Sequence, residues 1–191
     1  MVNEDKIRLL ARIARAKSGV APSGDPETAV SILGLAAFSY GTRPADEATV
    51  PTGFDPLAVA LFEAIVEGAY LVASADGVFD AEERKAFERV VTAACGGVVV
   101  AQQIADLVGD LADQLAEDGL ERRIAAVAEQ VHRKEHAKEV LRIAALLAHS
   151  SEDVSPVERT ALLKLATALK LESSEVDSAL GDVKRELGAD G

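Results

Sequence analysis

The chain has 191 residues, and 20 Lys and Arg against 32 Asp and Glu leave a formal charge of −12 and a pI near 4.7. That acidity excludes a nucleic-acid surface, which needs a basic face for phosphate, and the lack of Trp with only 4% aromatics removes the stacking platforms that hold single strands. With 49% hydrophobic and 27% charged residues, the composition is that of a globular domain whose core is Ala, Leu, Val and Ile, residues suited to close-packed helices.

Apolar periodicity predicts helices along nearly the whole chain. A first helix, about residues 3 to 17, carries the stripe Ile7, Leu10, Ala11, Ile13 and Ala14. Asp25-Pro26 reads as an N-cap with proline at the first helical position, opening a second helix that ends near Tyr40-Gly41. Residues 41 to 55, with two prolines and two glycines, read as a connection from an N-terminal helical hairpin to the main body. Asp55-Pro56 repeats the cap-plus-proline start for a helix over about 56 to 74. The next helix follows Asp80 and stops at Gly96-Gly97, and another covers about 98 to 116. Asp118 with Glu121 reads as a capping box for a helix through about His132, and further helices are expected at about 135 to 150, 156 to 169 and 174 to 187.

The fold class predicted is therefore all-α, a bundle of eight or nine helices, with residues 1–55 as a helical extension and linker and 56–191 as the main helical domain. Two helical hairpins look like pseudo-repeats. At a constant offset of 75 residues, Leu71 meets Leu146, Phe79 meets Val154, Glu83 meets Glu158 and Phe87 meets Leu162. Each half is a helix, a short acidic turn and a capped second helix.

Location follows from simple features. Cys95 stands alone and cannot form an internal disulfide, which makes a cytoplasmic location the expectation. The charged N-terminus lacks the apolar core of a signal peptide. The apolar stretch Leu57 to Ala75 is interrupted by Glu63 and Glu67, so it reads as a buried helix and no membrane span.

The acidic turns are the first chemical candidates. Asp76, Asp80, Glu82 and Glu83 cluster around Gly77, and hard oxygen ligands on a turn hold Ca²⁺ or Mg²⁺ when several converge. An EF-hand is excluded, because counting from Asp76 puts Ala81 at the obligatory glycine and Phe87 at the bidentate glutamate. The bland alternative is helix capping, since Asp80-x-x-Glu83 and Ser155-x-x-Glu158 both have capping-box spacing.

A second constellation is His132-Arg-Lys-Glu135-His136, the H-x-x-E-H order of inverted zinc peptidases. On one helix, the two histidines would face a common Zn²⁺ with Glu135 as general base. The competing description is a polar junction with solvated histidines between two helices, favoured by the flanking Arg133 and Lys134 and by the third ligand that catalytic zinc requires. His149 is expected to favour the end of its helix, and Cys95 to be a small buried hydrophobe. Neither a GxGxxG nor a P-loop is present, so nucleotide binding has no signal.

The stretch LVASADGVFDAEERKAFERVV, Leu71 to Val91, resembles the signature of the TerB tellurite-resistance family, A-x-A-D-G-x-x-(S/D)-x-E-E after an apolar helix. The family is similar in a second respect, since its second half repeats the motif and ends in an L-x-L type segment, here within Leu141 to Val176. The resemblance covers about Leu57 to Leu187, and related domains occur in membrane-anchored J-domain co-chaperones. It implies an all-helical domain whose two acidic turns meet and bind divalent metal (Ca, Mg or Zn), with Asp76, Asp80 and Glu83 matching the first motif and Glu158 the second. Ser151-Glu152 stands where a second D-G would be and Ser155 replaces an acid, which breaks the symmetry of such a site.

Together these features predict a non-enzymatic, TerB-like, stress-associated domain with protein partners, binding a divalent cation at its acidic turns. The alternative is a helical interaction module with no metal site, docking a partner or its own copy through the apolar N-terminal helices. Oligomeric state is left open.

Overall fold

The computed structural model describes residues 4–16, 31–42, 55–77, 79–149 and 154–188. Every regular element among them is a helix: α1 (Glu4–Arg15), α2 (Ile32–Gly41), α3 (Pro56–Ala73), α4 (Ala81–Ala94), α5 (Ala101–Asp118), α6 (Leu120–Gln130), α7 (Lys134–Ala148), α8 (Pro156–Ala168) and α9 (Ser173–Gly188). The all-α class expected from the periodicity is what the chain adopts.

The start signals act as their chemistry dictates. Asp55 caps α3 by accepting from Leu57 N at 3.0 Å, ahead of Pro56 at the first helical position. Two departures have local causes. The described α2 starts at Ile32, where Ser31 Oγ accepts from Gly34 N at 3.0 Å, and the start expected at Asp25-Pro26 lies outside the described residues. The box expected from Asp118 and Glu121 does not form. Asp118 is instead the last residue of α5, and Gly119, at φ 79, turns the chain directly into α6. Only glycine adopts that conformation cheaply, so the corner falls on it. Asp118 pairs with Arg123 and Glu121 with Lys164.

The central pair is α3 on α7; α1, α2, α5, α6, α8 and α9 each pack against one or both, and α4 packs on α1 and α5. α3 is long and apolar enough to cross a membrane by length and composition alone, yet it is the core helix, with Phe62, Ile65, Val66 and Ala69 fully covered. Burying each such Phe, Ile or Val contributes about 1.5–3 kcal/mol. At Gly68 the helices approach closely, for a Cβ there would lie 2.8 Å from Val140 Cγ1.

The first two helices join this same core. α1, with Ile7, Leu10 and Ala14 buried, packs mainly against α4, and α2 packs mainly on α3, with the Tyr40 and Phe62 rings tilted against each other at 4.5 Å. They pack on the body more than on each other, unlike the N-terminal hairpin expected from the sequence.

Candidate functional site

The first acidic turn is built on an aromatic pedestal. Phe79, just before the cap of α4, sits edge-on to Tyr70 of α3 at 5.2 Å and to Phe87 of α4 at 6.0 Å, and Tyr70 also meets Phe87 at 6.2 Å. Ser74 closes α3 through its Oγ, which donates to Tyr70 O at 2.8 Å. Gly77, at φ 80 and bonded through its N–H to Ser74 O at 3.0 Å, supplies the reversal.

On this pedestal Asp80 Oδ1 accepts from Glu82 N at 2.8 Å and Glu83 N at 2.9 Å, while Glu83 Oε2 accepts from Asp80 N at 3.1 Å. That is a complete capping box. Asp76 lies on the same exposed turn. Arg84 runs off the motif to bond Glu88 at 2.8 Å and the Ala105 carbonyl at 3.1 Å, tying α4 to α5.

At the second turn Ser155 and Glu158 form the equivalent box. Glu158 Oε2 accepts from Ser155 N at 2.8 Å and Ser155 Oγ accepts from Glu158 N at 3.2 Å. Ser151, Glu152 and Asp153 lie outside the described residues.

The residues expected to hold metal are thus placed as follows. Asp80 and Glu83 are brought together on the first turn of α4, with Asp76 preceding them, and Glu158 belongs to a separate box on α8. Among the described residues, no three His, Cys, Asp or Glu side chains converge on one point. The four expected carboxylates are thus divided between two helix starts, with Asp76, Asp80 and Glu83 at α4 and Glu158 at α8. Three of them hold backbone N–H groups, and the positive end of a helix dipole weakens any cation held there.

The H-x-x-E-H element is split by the fold. His132 lies in the junction after α6, whereas Glu135 and His136 are on α7, so the two histidines do not share a helix. Partial burial and the neighbouring Arg133 lower the His136 pKa, against the opposing effect of Glu135. His149 ends α7, its Nδ1 lying 2.9 Å from Ala145 O, so it serves the helix end as expected. Cys95 ends α4 buried, and burial pushes its thiol up to about 12, so it is protonated and inert at neutral pH.

Two buried charge groups escaped the sequence reading. Glu67, on the apolar α3, bonds Arg123 Nε at 2.7 Å and Nη2 at 2.6 Å, and Arg123 Nη1 reaches Asp118 at 3.2 Å. Burial raises the Glu67 pKa against the opposing pull of Arg123. Glu139, 3% exposed, takes Arg142 in a two-pronged pair at 2.8 and 3.0 Å, and the same guanidinium bonds the Ile13 and Ala14 carbonyls at 3.0 and 2.9 Å. Arg142 thereby satisfies the open end of α1 and fastens it to α7. One signal was available: a carboxylate inside an apolar helix, such as Glu67, needs a buried cationic partner.

Comparison with curated proteins and with solved structures found no match. The family model described as "Tellurite resistance protein TerB" matches residues 62–180, from the middle of α3 into α9 and thus more than half of the chain, with both capped turns inside it. The chain belongs to the TerB family.

Proposed function

We propose that this TerB-family chain acts without catalysis, as a stress-associated binding domain whose α3–α4 turn holds a hydrated divalent cation weakly. The observation that carries this is the capping box of α4. It holds the side chains of Asp80 and Glu83 on the first turn of α4, and each backbone bond engages only one carboxylate oxygen, Oδ1 of Asp80 and Oε2 of Glu83. Asp76 and Glu82 add further negative charge to that turn. An all-oxygen donor set suits Ca²⁺ or Mg²⁺ over Zn²⁺, and one or two carboxylates with water completing the shell is a familiar arrangement for Mg²⁺. Glu158, on its own box, is left out of this site. The test is thermal unfolding with and without Ca²⁺, Mg²⁺ and Zn²⁺, on the wild type and on Asp76→Asn. A rise with Ca²⁺ or Mg²⁺ that Asp76→Asn abolishes supports the site. A flat response in both proteins refutes it and reduces both boxes to helix capping.

The second reading is an interaction module without metal. The apolar α2 favours it, with Leu35 59% and Phe38 60% exposed one turn apart on a helix that carries no charge.

A further inference from the structure

A cleft of about 600 Å³ opens at the α6–α7 junction beside the end of α8. Among the described residues its charged lining is Arg133, Lys134 and Lys170 with Glu129 as the one carboxylate, and His132 lies beside them. In a chain of formal charge −12, this is a local excess of positive charge. Arg84, Arg89, Arg123, Lys138, Arg142, Arg159, Lys164 and Arg185 all pair with carboxylates. Among the described residues, Arg133, Lys134 and Lys170 make no ion pair and stand exposed.

Two of these cations sit where helix-end chemistry favours another residue. Arg133 is the N-cap of α7 and makes no side-chain cap, at a position that Ser, Thr, Asp or Asn would stabilise. Lys170 follows α8 at φ 58, the left-handed conformation that glycine or asparagine adopts at least cost. Both ends thus give up local stability, and both unusual residues line the same cleft. Val131 and Leu169 add an aliphatic wall.

We propose that this cleft is a binding site for a small organic phosphate. Two or more negative charges match Arg133, Lys134 and Lys170, with the uncapped first turn of α7 adding N–H donors. The volume is in the range of small-molecule sites and exceeds what a bare phosphate fills, leaving room for an aliphatic or sugar body against Val131 and Leu169. Among the described residues no aromatic side chain lines the cleft, so a stacked base is not what it selects.

The test is calorimetric titration of the full chain at low ionic strength with a hexose 6-phosphate, the free hexose and inorganic phosphate. The expected result is saturable binding of the hexose phosphate, weaker binding of inorganic phosphate and none of the free hexose. The double variant Arg133→Gln/Lys134→Gln should weaken binding by about tenfold or more at unchanged melting temperature, since these side chains hold nothing in the fold. Glu129→Gln should tighten binding severalfold, and Asp76→Asn should leave it unchanged. Absence of saturable binding by either phosphate probe, or equal affinity in wild type and double variant, overturns the site. Inorganic phosphate binding as tightly as the hexose phosphate overturns the organic part.

Discussion

Replacing Arg123 by Met removes the cation that, among the described residues, bonds Glu67, while keeping much of the side-chain volume. The Glu67 and Arg123 side chains are 10% and 16% exposed, so water cannot rescue the orphaned carboxylate where it stands. Breaking one side of such a buried pair costs about 3–5 kcal/mol. For a chain of this size that lowers the melting temperature by about 6–20 °C. The pH dependence fixes the cause. Burial already raises the Glu67 pKa, so the folded state binds this proton more tightly than the unfolded chain, and the group's contribution falls as pH rises through the carboxylate range. Without Arg123 the folded pKa rises further and the window extends upward. The variant should therefore lose most at neutral pH and recover toward wild type as pH falls and Glu67 is protonated. Glu67→Leu/Arg123→Met, which removes both charges, should restore most of the loss. Thermal unfolding followed by far-UV circular dichroism at neutral and acid pH reads all three proteins. A loss under about 1 kcal/mol at neutral pH, or one that does not shrink with acid, would refute the buried-charge argument.

Other consequences are smaller or more local. Asp80→Ala should cost about 1 kcal/mol in urea unfolding and Asp80→Asn much less, because asparagine still accepts the two N–H bonds of the cap; equal losses would show that charge, not capping, matters there. Gly41→Ala should destabilise by about 1–3 kcal/mol or more, since its Cβ would fall 1.9 Å from the Val98 carbonyl oxygen, backbone that has no rotamer to yield; a stabilised variant would contradict that packing. Cys95 should react with a disulfide reagent only as fast as the chain unfolds, its thiol being buried with a pKa of about 12; rapid labelling of folded protein would contradict its burial.

Much of the fold was legible because its signals are local. Asp55-Pro56, Asp80-x-x-Glu83 and Ser155-Pro156-x-Glu158 mark helix starts through bonds spanning two or three residues, and each forms. The Asp118–Glu121 spacing misled because Gly119 offers a sharper solution, one residue between two helices. Long-range pairing was hidden. Glu67 and Arg123 are 56 residues apart, and Arg142 lies 129 from Ile13, distances over which no sequence period connects two charges. The same limit governs the candidate site. Asp80 and Glu83 could be joined from spacing, but the separate box of Glu158 and the split of His132 from His136 depend on where helices end in space. The cationic cleft needed the fold too, because Lys170 comes to the α7 junction only through packing of α8.

The most direct measurement is an ¹⁵N-resolved NMR titration of the full chain with Mg²⁺ and Ca²⁺. A weak cation site on the first turn predicts saturable shifts confined to the amides around Asp76, Gly77, Asp80, Glu82 and Glu83, with those of Ser155 and Glu158 unmoved and the whole response lost in Asp76→Asn. Amides at the first turn that stay fixed to millimolar cation, or shifts centred on Ser155 and Glu158 instead, would contradict it.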